Sequence, residues 1–231
     1  MLNKRIWIGI AILLAAITGT VAALTPQEQL GKNLFFDTNL SEPAGQACAS
    51  CHDASAGFAE PDKSLPVSEG VITGRFGTRN SPAAAYAVFN GEFTLKSGIM
   101  GGQFWDGRAA NLTEQAKGPF LNPVEMNNPS KASVIGKIRV SAYAPQFEAI
   151  CGPNAFDPAN VERSYNCMAA SIATFEGTSE LNKFTSKFDA YLQGTYTLTP
   201  QEDLGTQVSH SKIESNSRHL CAFQNLVDFW S

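Results

Sequence analysis

A chain of 231 residues and 24.8 kDa holds enough apolar material for one complete core, or for one core and the start of a second, so it is not a miniature that depends on staples. Its formal charge is −4, its pI about 5.4, and its longest basic run the pair Lys4-Arg5, which leaves a nucleic-acid groove without an electrostatic footprint. The chain has only five cysteines and three histidines, so a place where they gather asks for a chemical reason.

The first segment, MLNKRIWIGIAILLAAITGTVAAL, sets a basic pair before an apolar stretch at 6–17 and small residues at Val21, Ala22 and Ala23. This is the pattern of a secretory signal, residues 1–23, cleaved after Ala23, and it predicts a mature chain exported to the periplasm. An uncleaved anchor is the alternative, because 6–24 is almost long enough to span a bilayer. Export permits disulfides, so Cys151 and Cys167 can pair there, although nothing in the sequence sets their separation in space.

The mature start, LTPQEQLGKNLFF, predicts a helix. Thr25 can cap it, Pro26 suits its first turn, Glu28 closes a capping box, and Leu30, Leu34 and Phe35 form an apolar stripe. That helix leads to CASCH at 48–52, a Cys-x-x-Cys-His that shuffling would produce in about one chain in a thousand of this composition. Two thiols at this spacing can each form a thioether to one vinyl group of haem, and the following His then ligates the iron, which is how c-type haem is attached. A thioredoxin-like redox pair would need a βαβ context, and a zinc site a second Cys/His pair; the sequence offers neither.

From 38 to 102 the chain is rich in Gly, Pro, Ser and Asn with little periodicity, which predicts mainly loop with short helices around the motif. So long an irregular stretch in a compact domain is usually functional or wrapped around a ligand. Residues 130–140 and 158–176 predict helices, and in the second Val161, Tyr165, Met168, Ile172 and Phe175 recur at steps of three and four, the mark of one buried face. LTPQEDLG at 198–205 then repeats LTPQEQLG at 24–31 in seven of eight positions, which reads as an internal duplication. A second Cys-x-x-Cys-His would fall near residue 222, but around Cys221 the sequence is CAFQN, without the second Cys or the His. Residues 198–231 are therefore expected to be the start of an incomplete second unit or an aberrant tail.

Three strings, LGKNLFFDTNLSEPAGQACASCH, GTRNSPAAAYAVFN and FWDGRAANLTEQAKGPFLNPVEM, resemble the bacterial di-haem cytochrome c peroxidases and the related MauG-type enzymes. The match runs in order from Leu24 to about residue 205 and covers the N-terminal, peroxidatic half of a two-haem protein. The resemblance implies a mainly α, cytochrome c-like haem domain over 24–197, with long irregular loops and one covalent haem c. By the same resemblance Cys48 and Cys51 hold the haem and His52 is the proximal ligand of its iron.

The resemblance also assigns Trp105 as the aromatic between the two haems, Gln115 as a distal-pocket amide and Glu125 as the acid-base group over the iron. Splitting peroxide moves a proton from one oxygen to the other; a carboxylate within hydrogen-bond reach can make both transfers, and burial beside an apolar ring suits its pKa to the work. Asn80 in RNSP resembles an inter-domain calcium ligand, and Met126 a methionine near the active haem. Each residue also has a plainer reading: a turn carboxylate between Pro123 and Pro129, a core tryptophan, a helix-surface amide, a turn asparagine and a core-filling methionine.

Two departures from the family pattern stand out. Glu69 occupies about the place of a distal His, and no His lies between His52 and His210, so an open or weakly held sixth iron position is expected. The spacing from RNSP to FWDGR is also nearer the MauG-like branch. The function expected is a periplasmic peroxidase that takes electrons from a small redox protein, a cytochrome c or a cupredoxin, to reduce hydrogen peroxide. A homodimer, a mono-haem electron carrier, oxidation of a protein partner and an inactive fragment of a di-haem enzyme are the arrangements left open beside it.

Overall fold

The computed structural model describes residues 23–95 and 100–215, with side chains to residue 209. All of the expected leader except Ala23, and the region around Cys221, lie outside the described residues. Among those residues there are nine α-helices and no strand: α1 (Pro26–Phe36), α2 (Cys48–Cys51), α3 (Leu112–Ala116), α4 (Gly118–Leu121), α5 (Lys131–Arg139), α6 (Ala144–Cys151), α7 (Val161–Glu176), α8 (Lys187–Leu192) and α9 (Pro200–Ser215). The mainly α fold expected from the sequence is observed, and no described helix is long and apolar enough to cross a membrane.

α1 begins as its sequence predicts. The Thr25 amide donates to Glu28 Oε2 at 2.6 Å and the Glu28 amide to Thr25 Oγ1 at 3.3 Å, so two of the helix's free donors are satisfied reciprocally. Leu30, Leu34 and Phe35 are buried. They pack on α7, where Tyr165, Met168, Ile172 and Phe175 of the predicted stripe are buried and Val161 is half-buried.

The two helices cross at backbone contact. A Cβ built on Gly31 would lie 1.9 Å from the Ser171 carbonyl oxygen, so only glycine admits this approach. One turn further along, the rings of Phe35 and Phe175 meet edge to face at 5.5 Å. α6 is tied to α7 by a Cys151–Cys167 disulfide with Cα atoms 5.7 Å apart, the pairing that an oxidising compartment would permit.

The stretch from 38 to 102 is irregular, as expected. Among its described residues it holds only α2, three short 3₁₀ turns and isolated bridges such as Asp53–Ala59 and Glu69–Phe76. α9 repeats the opening cap of α1, with the Thr199 amide donating to Glu202 Oε2 at 2.8 Å and the Glu202 amide to Thr199 Oγ1 at 3.3 Å. Its Leu204, the counterpart of buried Leu30, is 59% exposed. The duplicated sequence thus reproduces the local cap without the packing.

Candidate haem-attachment site

α2 is a single turn hung between two sharp bends. Ser41 Oγ accepts the Gln46 amide at 2.8 Å, and the Ala47 amide donates to Ser50 Oγ at 3.0 Å, which starts the turn. Cys48 and Cys51, three residues apart on that turn, stand on one face of it. His52 ends it, its amide donating to the Cys48 carbonyl at 3.0 Å.

The His52 ring is held by its Nδ1, which lies 3.2 Å from the Phe58 carbonyl oxygen. That oxygen also accepts the Ala84 amide at 2.9 Å, so the anchor is itself fixed to the next loop. The Pro82 backbone is a second partner of the ring, and a proton held at Nδ1 by the Phe58 carbonyl is the tautomer in which Nε2 carries the lone pair that a metal ligand requires. Burial lowers the His52 pKa and keeps the ring neutral.

Cys48 and Cys51 are half-buried free thiols, both pushed above the usual thiol range by burial. With no described strand there is no βαβ frame for a redox pair. Among the described residues no cluster of three His, Cys, Asp or Glu that could hold a metal ion stands around the pair.

Glu125 reaches this motif from far along the chain. It sits on a tight turn after α4, where Asn122 Nδ2 donates to Glu125 Oε1 at 2.8 Å. Asn128 Nδ2 secures the turn by donating to the carbonyls of Leu40 at 2.7 Å and Phe120 at 2.9 Å. The loop carrying Glu69 lies directly on the same turn: the Val71 amide donates to the Glu125 carbonyl at 2.9 Å, and a Cβ on Gly70 would stand 2.4 Å from the Val124 oxygen. Burial raises the Glu125 pKa, with the Asn122 hydrogen bond and the Arg108 charge opposing it. The same loop joins the turn to the motif, since the Glu69 carbonyl accepts Gln46 Nε2 at 2.9 Å and that nitrogen lies 3.6 Å from Cys51 Sγ; the Glu125 charge adds to the upward push on both thiols.

The other named residues are placed as follows. Gln115 is half-buried on α3, its side chain making no hydrogen bond to a described residue. Trp105 is 46% exposed, so it is not a core residue; its Nε1 donates to the Asn80 carbonyl at 2.8 Å. Asn80 is exposed, its Nδ2 directed at the Pro66 carbonyl at 3.4 Å. Met126 is buried in the core. Glu69 is exposed and turned onto its own loop, its Oε1 accepting the Gly74 amide at 2.6 Å.

Two residues that the sequence reading passed over belong to the site. Gln46 is 7% exposed; its Nε2 donates to the Glu69 carbonyl at 2.9 Å and lies 3.6 Å from Cys51 Sγ, while its Oε1 is buried without a hydrogen-bond partner. Glu176, the last residue of α7, is 5% exposed, with its Oε2 likewise unpartnered. Its charge is the largest felt by Cys48. The register held a signal for it, since Glu176 follows Ile172 by four residues and so falls on the buried face.

Covalent haem fits these residues. Two thiols on one helical face, an imidazole with Nε2 free, and orphaned polar atoms on Gln46 and Glu176 beside the two cysteines make a cradle that protein atoms alone leave unsatisfied. By contrast, a surface hollow of about 730 Å³ rimmed by Gln29, Lys32, Asn33, Tyr143 and Gln146 includes none of these groups.

A family model described as di-haem cytochrome c peroxidase matches residues 25–197. The chain is 38% identical over 209 residues to the methylamine utilization protein MauG of Paracoccus denitrificans, covering 86% of this chain and 53% of that protein. It is also 38% identical over 168 residues to the cytochrome c551 peroxidase of Pseudomonas aeruginosa, covering 73% of this chain and 42% of the relative. Among solved structures, the diheme peroxidase BthA from Burkholderia thailandensis E264 is similar with a TM-score of 0.70 and 32% identity, covering 80% of this chain and 48% of that one. A MauG-like protein associated with microbial copper homeostasis gives a TM-score of 0.61 and 28% identity, covering 83% and 49%. The chain spans about half the length of the curated relatives it matches.

Proposed function

This chain belongs to the di-haem cytochrome c peroxidase family, and from that membership we propose that residues 24–197 form a periplasmic c-type haem peroxidase domain that reduces hydrogen peroxide with electrons from a small redox protein, a cytochrome c or a cupredoxin. The observation that carries the reading is that the turn bearing half-buried Glu125 is joined through the Glu69–Val71 loop to Gln46, 3.6 Å from Cys51 Sγ, so that a carboxyl raised in pKa by burial stands on the segment packed against the Cys-x-x-Cys-His motif. The Cys151–Cys167 disulfide supports an oxidising compartment and hence export.

Cys48 and Cys51 would hold the macrocycle through thioethers, and His52 would ligate the iron through Nε2 with Nδ1 kept on the Phe58 carbonyl. Bound haem supplies the iron at which peroxide is reduced. Glu125 would serve as the acid-base group, accepting a proton from one peroxide oxygen and returning it to the other so that this oxygen leaves as water. The Asn122 hydrogen bond holds the carboxylate in place for both transfers. Gln115 is free to orient the bound peroxide, and the exposed indole of Trp105 offers the point at which an external donor can deliver electrons. With two electrons and two protons, one peroxide becomes two waters.

An electron carrier would need a strong sixth ligand in place of peroxide. Met126 is committed to the core and the Glu69 carboxylate to its own loop, which favours the peroxidase over the carrier.

The test is to purify the exported protein, confirm that haem survives denaturing extraction, and mix the ferric protein with hydrogen peroxide and a reduced cytochrome c. Peroxide-dependent oxidation of the donor supports the proposal. Attached haem that ignores peroxide makes the protein a carrier, and absence of attached haem overturns the reading altogether.

A further inference from the structure

The mechanism above leaves a buried carboxyl, that of Glu176, unused. Glu176 closes α7 at the end held by Asn182, whose Nδ2 donates to the Glu176 carbonyl at 2.8 Å and whose Oδ1 accepts the Tyr86 amide at 2.8 Å. The backbone there is fully accounted for, whereas the carboxyl is not. Its Oε2 is buried with no hydrogen-bond partner.

An uncompensated carboxyl in a core is costly and is ordinarily replaced by an apolar residue or given a partner. Here the ionisable group that feels its charge is Cys48, the attachment point of the haem. The packing runs the same way: Phe175, next to Glu176, meets the Phe35 ring at 5.5 Å, Phe35 meets Phe58 at 6.3 Å, and the Phe58 carbonyl holds the His52 ring, so the end of α7 that carries the orphan oxygen is packed towards the haem-attachment motif.

We propose that Glu176 is a positioning residue for the haem: its carboxyl stands at the Cys48 edge of the ring and couples the haem's reduction potential to pH by taking up one proton when the haem takes up one electron. The inference rests on the haem reading above. The electron comes from the small redox donor, or from an electrode in the test, and the proton from water. The ferric state, with one more positive charge, favours the carboxylate, and the reduced state favours the acid. Through a poorly polarisable interior that preference is felt strongly.

The surroundings leave the carboxyl free to respond. On the packed elements the ionisable groups are Cys48 and Cys51 on α2, Glu28 and Lys32 on α1, Glu114 and Lys117 on α3, Lys131, Lys137 and Arg139 on α5, Glu148 on α6, Tyr86 in the loop before α3, and Glu180 beyond α7. Lys32 is paired with Glu180 at 2.6 Å and Lys117 with Glu114 at 2.6 Å, so neither cation is spent on Glu176. Burial alone pushes its pKa up to about 8. Glu125 is the other carboxyl whose charge reaches Cys48, and the haem propionates titrate as well, so the test must separate them.

Haem staining after denaturing electrophoresis comes first; unstained protein overturns the haem reading and this inference with it. On stained protein the midpoint potential is measured from pH 6 to 10 for the wild type, Glu176→Gln and Glu125→Gln. The expected result is a fall in potential with rising pH around pH 8 in the wild type and in E125Q, lost in the neutral isostere E176Q. A fall that persists unchanged in E176Q, or that disappears in E125Q instead, overturns the assignment while leaving the haem site intact. Proton uptake on reduction of the unbuffered wild type near pH 8, followed with an indicator dye, tests the same point without a variant. No uptake overturns it.

Discussion

At the residue scale, His52 is held by backbone carbonyls, Phe58 at its Nδ1 and Pro82 beside it, and Glu125 by the hydrogen bond from Asn122 Nδ2. Substituting Glu125 by Gln keeps the shape and the Asn122 contact but removes the proton acceptor. The expected outcome is unchanged haem attachment with peroxide cleavage slowed about 10²- to 10⁴-fold, read by stopped-flow absorbance. Glu176 gives a second prediction, on stability. A carboxyl raised from its ordinary 4.5 to about 8 binds its proton more tightly in the folded than in the unfolded chain. Its contribution is therefore fully present below pH 4.5 and is lost as the pH rises through 8. Urea midpoints should fall between pH 5 and pH 9 more steeply for the wild type than for E176Q; equal slopes would mean that the carboxyl ionises freely in the fold.

Among the elements, the crossing of α1 and α7 organises the domain. It brings the helix that precedes the haem motif against the helix that ends in Glu176, and it does so at the one glycine of the stripe. Gly31→Ala would drive a methyl group into the Ser171 carbonyl, with Phe175 Cβ only 2.8 Å from the same point, so the helices must part. The expected loss is about 1–3 kcal/mol in chemical denaturation. A variant as stable as the wild type would show that the crossing is looser than the structure has it. α9 provides the contrast, since it has the same Thr–Glu cap as α1 but leaves Leu204 and Val208 exposed. Capping starts a helix, and packing of an apolar face is what stabilises it.

For the molecule as a whole, the two kinds of structure are held differently. α1, α5, α6 and α7 share one continuous core, whereas the described loops at 53–95 and 100–103 add only Phe58, Ala84 and Ala85 to it, are otherwise held by isolated bridges and hydrogen bonds, and carry the exposed Phe76, Phe89, Phe93 and Leu95. Hydrogen exchange of the purified haem-loaded chain should show slow amides in α1 and α7 and fast ones across 60–95. In a Cys48→Ala, Cys51→Ala chain that cannot attach haem, the difference should widen, with the loops losing protection first. Uniform exchange across both regions would contradict this division. The exposed Trp105 lies beside an Arg79–Asp106–Arg108 cluster, with ion pairs of 2.6 and 2.8 Å, so the face proposed to receive electrons is charged as well as aromatic.

The sequence by itself determined what depends on neighbours along the chain. The capping box of α1, the stripe of α7, the irregular stretch between them and the spacing of CASCH are all local patterns, written in steps of three and four residues or in a five-residue motif, and the structure contains each of them. Strings of that kind also carried the family. What depends on residues far apart in sequence needed the fold. Nothing local distinguishes Glu125 as a turn carboxylate from Glu125 beside the cysteines, Trp105 in a core from Trp105 on the surface, or Cys151 free from Cys151 paired with Cys167. Gln46 and Glu176 show the limit most clearly. A polar side chain becomes an orphan only when the surrounding elements close over it and withhold a partner, and that closure is a property of the packed core.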